Sequence, residues 1–340
     1  MEEEKSSNYN IINNPISNLI NNGIKFDVLK IDSTIKKNNS YIEGDNKFEF
    51  CLDYNPEQES EHEPNTDFQK YISKIKTKST EYLGILSKNL IKEGHGYNHF
   101  DNGDEYFGQW KSNKKEGYGI YYFKDNDGEG DSTIKQIYFG EFKDNIKSGE
   151  GVYFNIKNFS EEKKDNILIP IDFNVAIGQF DNDIFSKGLV YSMNGGKRKI
   201  YKGKISEGKK NDDKAEIYED DNKIFFGTVE NNIMIRGRII IMNEGQKEAG
   251  YYFNKKQKDG DIEFDYNQDE QNDENYIKSL DELNDVLDNE KIQDLFVYVM
   301  KLREKVNSPD NFEYIKNLNY DEDIINQLKN LYEKYLDLNY

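Results

Sequence analysis

One spacing, written twice without a gap, restricts what this chain can fold into. Tyr106-Phe107-Gly108-Gln109-Trp110 is followed by Gly117-Tyr118-Gly119-Ile120-Tyr121, and Tyr138-Phe139-Gly140-Glu141-Phe142 by Gly149-Glu150-Gly151-Val152-Tyr153. The two passages have the same offsets between all three glycines. Each reads as a strand, a turn and a returning strand, because apolar and other residues alternate at period two through both halves. Looser copies flank them. Tyr82-Leu83-Gly84 leads to Gly94-His95-Gly96 with one extra residue, Gly178-Gln179-Phe180 to Gly188 and Gly227 to Gly237 with one fewer. Gly203 keeps only a first half, and Gly250 leads to Gly260. The leading glycines 84, 108, 140, 178, 203, 227 and 250 stand 23 to 25 residues apart except where residues 125–133 and 157–171 are inserted. A fixed period of this length marks a repeat architecture in which each unit stacks only on its neighbours.

This pattern resembles the MORN (membrane occupation and recognition nexus) repeat family, whose unit reads Tyr-x-Gly-x-Phe, a turn, then Gly-x-Gly-x-aromatic. The resemblance covers residues 81–266 and implies a mainly β fold: a single-layer, elongated antiparallel sheet of about seven hairpins, with a small C-terminal helical segment. Seven hairpins are fourteen strands, which at about 4.8 Å per strand extend roughly 65 Å. Strand alternation puts Tyr106, Gly108 and Trp110 on one face. Glycine weakens a strand unless another group must approach it closely, so these glycines are expected to let aromatic rings lie over the neighbouring backbone. A five-to-six-residue turn, residues 111–116 in this copy, is expected to close the hairpin.

Composition agrees with a thin sheet. Hydrophobic residues make up 35% of the 340, and aromatics alone 14%, so the apolar inventory is weighted toward rings. Cross-strand ring contacts contribute about 0.5 to 1.5 kcal/mol each beyond area burial and can hold a sheet that has no second sheet behind it. Residues 1–80 read as a partly disordered region with two short alternating runs, 24–28 and 47–52, an acidic linker over 53–67, and a short amphipathic helix suggested by Phe68, Tyr71, Ile72 and Ile75. Residues 267–340 read as an acidic linker followed by three or four amphipathic helices. The strongest apolar stripe is Ile292, Leu295, Phe296, Val299, Leu302 and Val306.

Several functions lose support from the residues themselves. With 46 basic against 65 acidic residues the net charge is −19, which repels nucleic acid in the absence of a local basic patch. No apolar run approaches the length of a membrane-spanning helix. The acidic N-terminal residues lack the form of a secretory signal, so an intracellular location is expected. One cysteine, Cys51, and three histidines supply neither a disulfide nor a zinc set, and His95 with His99 alone is better read as two surface histidines. The Gly-x-Gly pairs run into strands rather than helices, unlike phosphate-binding loops. No nucleophile–base constellation stands out, and no catalytic, metal or cofactor residue is assigned.

What remains is a repeat scaffold. The residues expected to define the repeat are Tyr82, Gly84, Gly94, Gly96, Tyr106, Gly108, Trp110, Gly117, Gly119, Tyr121, Tyr138, Gly140, Phe142, Gly149, Gly151, Tyr153, Gly178, Phe180, Gly188, Gly203, Gly227, Gly237, Gly250 and Gly260. If all hairpins point one way, Lys111, Lys114, Lys115, Lys143, Lys147, Lys209, Lys210, Lys255, Lys256 and Lys258 project from one edge, a candidate surface for an anionic partner. The resemblance implies protein–protein interactions in the cytoplasm, within a ciliary or axonemal assembly such as a radial spoke, or at the cell cortex. The other reading is a peripheral membrane organiser binding anionic lipid. Arrays of this family in some proteins accompany a lipid kinase or methyltransferase domain, but the segments outside 81–266 carry no motif of either and are too short for one.

Overall fold

The structure, a computed structural model, describes residues 39–43, 46–50, 70–76, 80–87, 91–124, 134–220, 222–243, 246–254, 261–264, 277 and 289–307. Its strands are β1 (Asn39–Glu43), β2 (Asn46–Phe50), β3 (Lys70–Lys76), β4 (Thr80–Ser87), β5 (Lys92–Phe100), β6 (Glu105–Lys111), β7 (Lys114–Lys124), β8 (Ile134–Lys143) and β9 (Ile146–Lys164). They continue as β10 (Ile167–Asp181), β11 (Ile184–Asn194), β12 (Lys197–Ser206), β13 (Lys209–Lys210), β14 (Asp212–Glu219), β15 (Lys223–Glu230), β16 (Ile233–Asn243), β17 (Gln246–Phe253) and β18 (Asp261–Phe264). One long helix, α1 (Asn289–Asn307), follows. Each strand pairs antiparallel with the next, save that β14 returns to β12 past the two-residue β13. Fourteen of these strands, β4–β12 and β14–β18, cover the repeat region, the number expected from seven hairpins.

The hairpins close more tightly than their sequence suggests. Instead of five or six loop residues, two suffice: Ser112-Asn113, Asp144-Asn145, Asn182-Asp183 and Asn231-Asn232 all have both φ angles between 49° and 76°. This turn has the twist of the flanking strands and suits Asn and Asp, which tolerate the left-handed region. The remaining residues of the expected turn belong to the strands, where a bulge absorbs them. In β7 the register steps from Gly108↔Gly119 to Trp110↔Lys115, and Gly117 at φ +77° sits in the bulge; Gly149 at +64° does the same in β9. The β10–β11 and β15–β16 hairpins have a bulge one residue shorter. Their missing spacing residue is this bulge glycine.

The expectation of a helix around residue 72 is corrected. Lys70–Lys76 is β3, hydrogen-bonded to β2 on one side and β4 on the other. Its apolar residues fit a helical period, but the edge of β4 needs a backbone partner and takes the segment as a strand. The inserted residues 157–171 lengthen β9 and β10 into a hairpin that outgrows its neighbours. Of the alternating runs near the N-terminus, 47–50 lies in β2. Run 24–28, Cys51, the linker 53–67, insertion 125–133, and the C-terminal helices expected around 279–287 and 308–340 lie outside the described residues.

The two sides of the sheet close differently. On one, Phe107, Ile120, Tyr122, Phe139, Phe154, Val175 and Tyr191 are buried, many of them in one cluster with Ile292, Leu295, Phe296, Val299 and Leu302 of α1. The helix crosses the strands from β10 to β6. Gln293 donates to the Pro170 carbonyl at 2.9 Å, Phe296 packs edge-on against Phe154 at 5.9 Å, the Tyr122 hydroxyl donates to the Val299 carbonyl at 2.8 Å, and Arg303 forks onto Glu105 at 2.7 and 3.0 Å. The opposite side carries the glycines.

Candidate functional site

Strand register places the repeat glycines in one line. Gly84, Gly96, Gly108, Gly119, Gly140, Gly151, Gly178, Gly188 and Gly203 stand opposite one another on successive strands, and Ala215, Gly227 and Gly237 continue the line on β14–β16. Gly250 does not belong to it: Tyr252 is the residue opposite Gly237. Gly260 lies outside the described residues.

Tyrosine rings fill the space the glycines leave. A methyl group built on Gly119 would stand 2.4 Å from the Tyr106 hydroxyl, one on Gly96 2.5 Å from that of Tyr82, one on Gly151 2.6 Å from that of Tyr138, and one on Gly203 2.7 Å from that of Tyr201. Each of these hydroxyls donates to the carbonyl three residues on: Tyr82 to Ile85, Tyr106 to Gln109, Tyr138 to Glu141 and Tyr201 to Lys204, at 2.7 to 2.9 Å. The rings of Tyr82, Tyr106 and Tyr138 are thereby drawn flat along their own strands and across the glycine of the next, whereas Tyr201 lies against Gly203 of its own strand. Between the tyrosines stand Trp110, Phe142 and Phe180. Tyr82–Trp110, Trp110–Tyr106, Tyr106–Phe142, Phe142–Tyr138 and Tyr138–Phe180 meet edge to face at 4.9 to 5.7 Å, an unbroken ladder across the seven strands β4–β10. Trp110 also donates its indole N–H to the Gly96 carbonyl at 3.2 Å.

Lysines form the outer layer of this ladder. The Lys115 ammonium lies 4.3 Å from the centre of the Tyr121 ring, 5.2 Å from Phe142 and 5.6 Å from Tyr106. Lys147 lies over Tyr153, Tyr138 and Phe123, Lys92 over Trp110 and Tyr82, and Lys210 over Tyr201. The negative ring faces attract the cations, while the hydrocarbon stems shield the rings from water. Burial pushes the ammonium groups of Lys92, Lys115 and Lys210 down to about 8 and lowers that of Lys147. For the same reason the phenols of Tyr82, Tyr106 and Tyr138 are held far above their ordinary value.

A backbone device fixes these lysines. The second turn residue of the neighbouring hairpin donates its N–H to the lysine carbonyl and accepts the lysine N–H on its side chain. Asn113 does so for Lys92, Asn145 for Lys115, Asp183 for Lys147 and Asn232 for Lys210, at 2.8 to 3.1 Å throughout. These four turns are thus each stapled to the hairpin before it. The pattern was available in the sequence as Lys-x-Gly, in Lys92/Gly94, Lys115/Gly117 and Lys147/Gly149, with Asn or Asp in the following turn. Attention to glycines and rings alone passes over Lys92, Asn113, Asn145, Asp183 and Asn232.

The expected lysine edge therefore resolves into distinct settings. Lys111, Lys143 and Lys209 are exposed at the turns, and Lys114 is exposed and paired with Asp144 at 2.6 Å. Lys115, Lys147 and Lys210 fold back onto rings, and Lys255, Lys256 and Lys258 lie outside the described residues. Among the described residues no group of three His, Cys, Asp or Glu side chains could hold a metal ion, His95 and His99 included, and no helix is long and apolar enough to cross a membrane.

Comparison with known families agrees with this geometry. A family model described as MORN repeat matches residues 106–128 and 138–155, and both matches contain the tyrosine, the paired glycines, the bulge glycine and the ring-capping lysine. A search of curated proteins found no match to the chain.

Proposed function

We propose that this chain, a MORN-repeat protein, is a non-catalytic scaffold that holds a structural protein of a cytoskeletal assembly along its lysine–aromatic face. The setting that fits is the cytoplasm, in a ciliary or axonemal complex of the radial-spoke kind or at the cell cortex. The observation that carries this reading is the continuous ladder from Tyr82 to Phe180 with its row of capping lysines. Such a surface offers the capping cations and, beside them, the partly exposed rings of Tyr121 and Tyr153, at intervals of two strands, about 10 Å. A regular interval suits a partner that is itself extended and acidic, and the ligand need not bring catalysis with it.

A lipid reading would rest on exposed Lys111, Lys143 and Lys209, but Lys115, Lys147 and Lys210 lie on rings and Lys114 is paired, so the charge offered to a bilayer is thin. Affinity purification of the tagged full-length chain tests the scaffold reading. Stoichiometric structural proteins should be recovered, and Lys115→Glu with Lys147→Glu should deplete them while far-UV circular dichroism stays unchanged. Equal recovery by this variant would overturn the assignment to this face. Pelleting with phosphatidylserine vesicles at low salt decides the other reading, which requires binding that salt abolishes.

A further inference from the structure

Residues 157–171 interrupt the repeat, yet they are neither a loop nor an idle addition. They lengthen β9 and β10 into a wall beside α1: Phe159 meets Phe296 at 5.9 Å, Pro170 accepts from Gln293, and Lys164 and Asp165 pair with Asp294 and Lys301. At the other end of the helix, Glu105 is 3% exposed and is held by Arg303, by Asn307 at 3.0 Å and by the Tyr97 hydroxyl. The cation that neutralises this buried carboxylate comes from the helix and not from the sheet. Removing it would leave an uncompensated charge under apolar cover, so the bed admits only a helix that brings a cation to that point. Val299, Leu302 and the other stripe residues fill the space between.

These requirements amount to a recognition code: apolar residues spaced as Ile292, Leu295, Phe296, Val299, Leu302 and Val306, with an arginine at the position of Arg303. Every fixing named here uses a side chain, so α1 can leave without breaking any rung of the β ladder. The glycine side keeps its own ladder whether or not α1 is present. Residues 265–288 join β18 to α1, so α1 competes for the bed as part of the same molecule.

We infer that the bed formed by β6–β10 and their long hairpin is a docking site for an amphipathic helix of a partner protein, and that α1 is its tethered competitor. A partner helix occupies the site by matching the stripe and presenting an arginine to Glu105. This surface is opposite the lysine–aromatic face, so either assignment can fail without the other. It also goes beyond the scaffold reading, since it makes one binding event conditional on release of an internal segment.

The probe is a fluorescent peptide of residues 289–307, titrated into the full-length chain. The native protein should bind it at least ten-fold more weakly than the Arg303→Glu variant, in which the like charge at Glu105 drives α1 out. An Arg303→Glu peptide should bind neither protein, and should bind a chain carrying both Glu105→Arg and Arg303→Glu, whose own α1 is restored but exchangeable, more tightly than it binds the native chain. Native-state hydrogen exchange supplies the second measurement: α1 amides should exchange faster than those of β8 and β9 in the native protein. Equal peptide affinity for native and Arg303→Glu chains would overturn the inference. So would a cooperative loss of the sheet in Arg303→Glu, or α1 protection equal to that of the core strands, either of which makes α1 a permanent part of the core.

Discussion

The two sides of one sheet solve the same problem by different means. A single layer must cover both faces. On the glycine side the three hairpins of β4–β9 supply their own cover: a tyrosine over the glycines, an aromatic between tyrosines, a lysine over both. On the other side the rings and aliphatics of β6–β10 wait for a helix whose contacts lie 123 to 202 residues further along the chain. Local cover repeats with the sequence and can be extended by adding hairpins. Borrowed cover has a fixed length, because one helix of 19 residues spans only about 28 Å. The repeat side is thus an open-ended design, and the helix side a site of definite size.

Substitutions on each side should separate these solutions. The largest effect is expected for Phe154→Ala, which empties the centre of the helix bed; it should lower unfolding stability by about 3 to 5 kcal/mol in urea titrations. Gly119→Val comes next. Its side chain would collide with the Tyr106 hydroxyl and the ring behind it, for a loss of about 1 to 3 kcal/mol, and wild-type stability would contradict the packing described for the whole glycine line. Tyr201→Phe deletes only the hydroxyl that donates to Lys204 at 2.7 Å, and about 1 kcal/mol should go with it.

The smallest and most specific difference concerns pH. Lys92, Lys115 and Lys210 release their protons at about 8 in the folded chain, against roughly 10.4 when unfolded. Between those values the unfolded chain binds more protons, so stability contributed by these sites rises with pH across the window. The tyrosines work in the opposite direction. Their phenols ionise first in the unfolded chain, so above about pH 10 their contribution is lost as pH rises further. Urea midpoints should therefore climb from pH 8 to near 10 and then fall. Lys115→Met keeps the stem and removes the charge, and should flatten the climb; an unchanged profile would show that the ammonium is not covered by its rings.

How much of this was legible follows the same division. The strand pairing and the glycine line are readable because each contact joins residues within one or two repeats, and the Gly108/Gly119 and Gly140/Gly151 spacings encode it directly. The turns are not legible because a bulge and a long loop leave the same residue count; only the left-handed pairs, each with Asn or Asp second, distinguish them. Spacing places Gly250 in the repeat, whereas register gives that position to Tyr252, a shift of one pleat that composition does not report. Lys70–Lys76 reads as helix in sequence because its apolar residues fit that period, and pairing with the edge of β4 makes it a strand. Glu105 is the least legible residue. Nothing near it in sequence indicates that its cation is Arg303.

The direction of the strands has a mechanical consequence. Because they run across the long axis of the sheet, tension applied end to end pulls along the inter-strand hydrogen bonds and loads them one strand at a time, the geometry of a zipper rather than of shear. A bare meander would peel from its ends under modest force. The helix α1, laid over β10 to β6, acts as a splint along the loaded axis, and the Asn staples between turns spread strain from each hairpin to the one before. The middle of the molecule is therefore its stiff segment, and yielding should begin at the hairpins the splint does not reach.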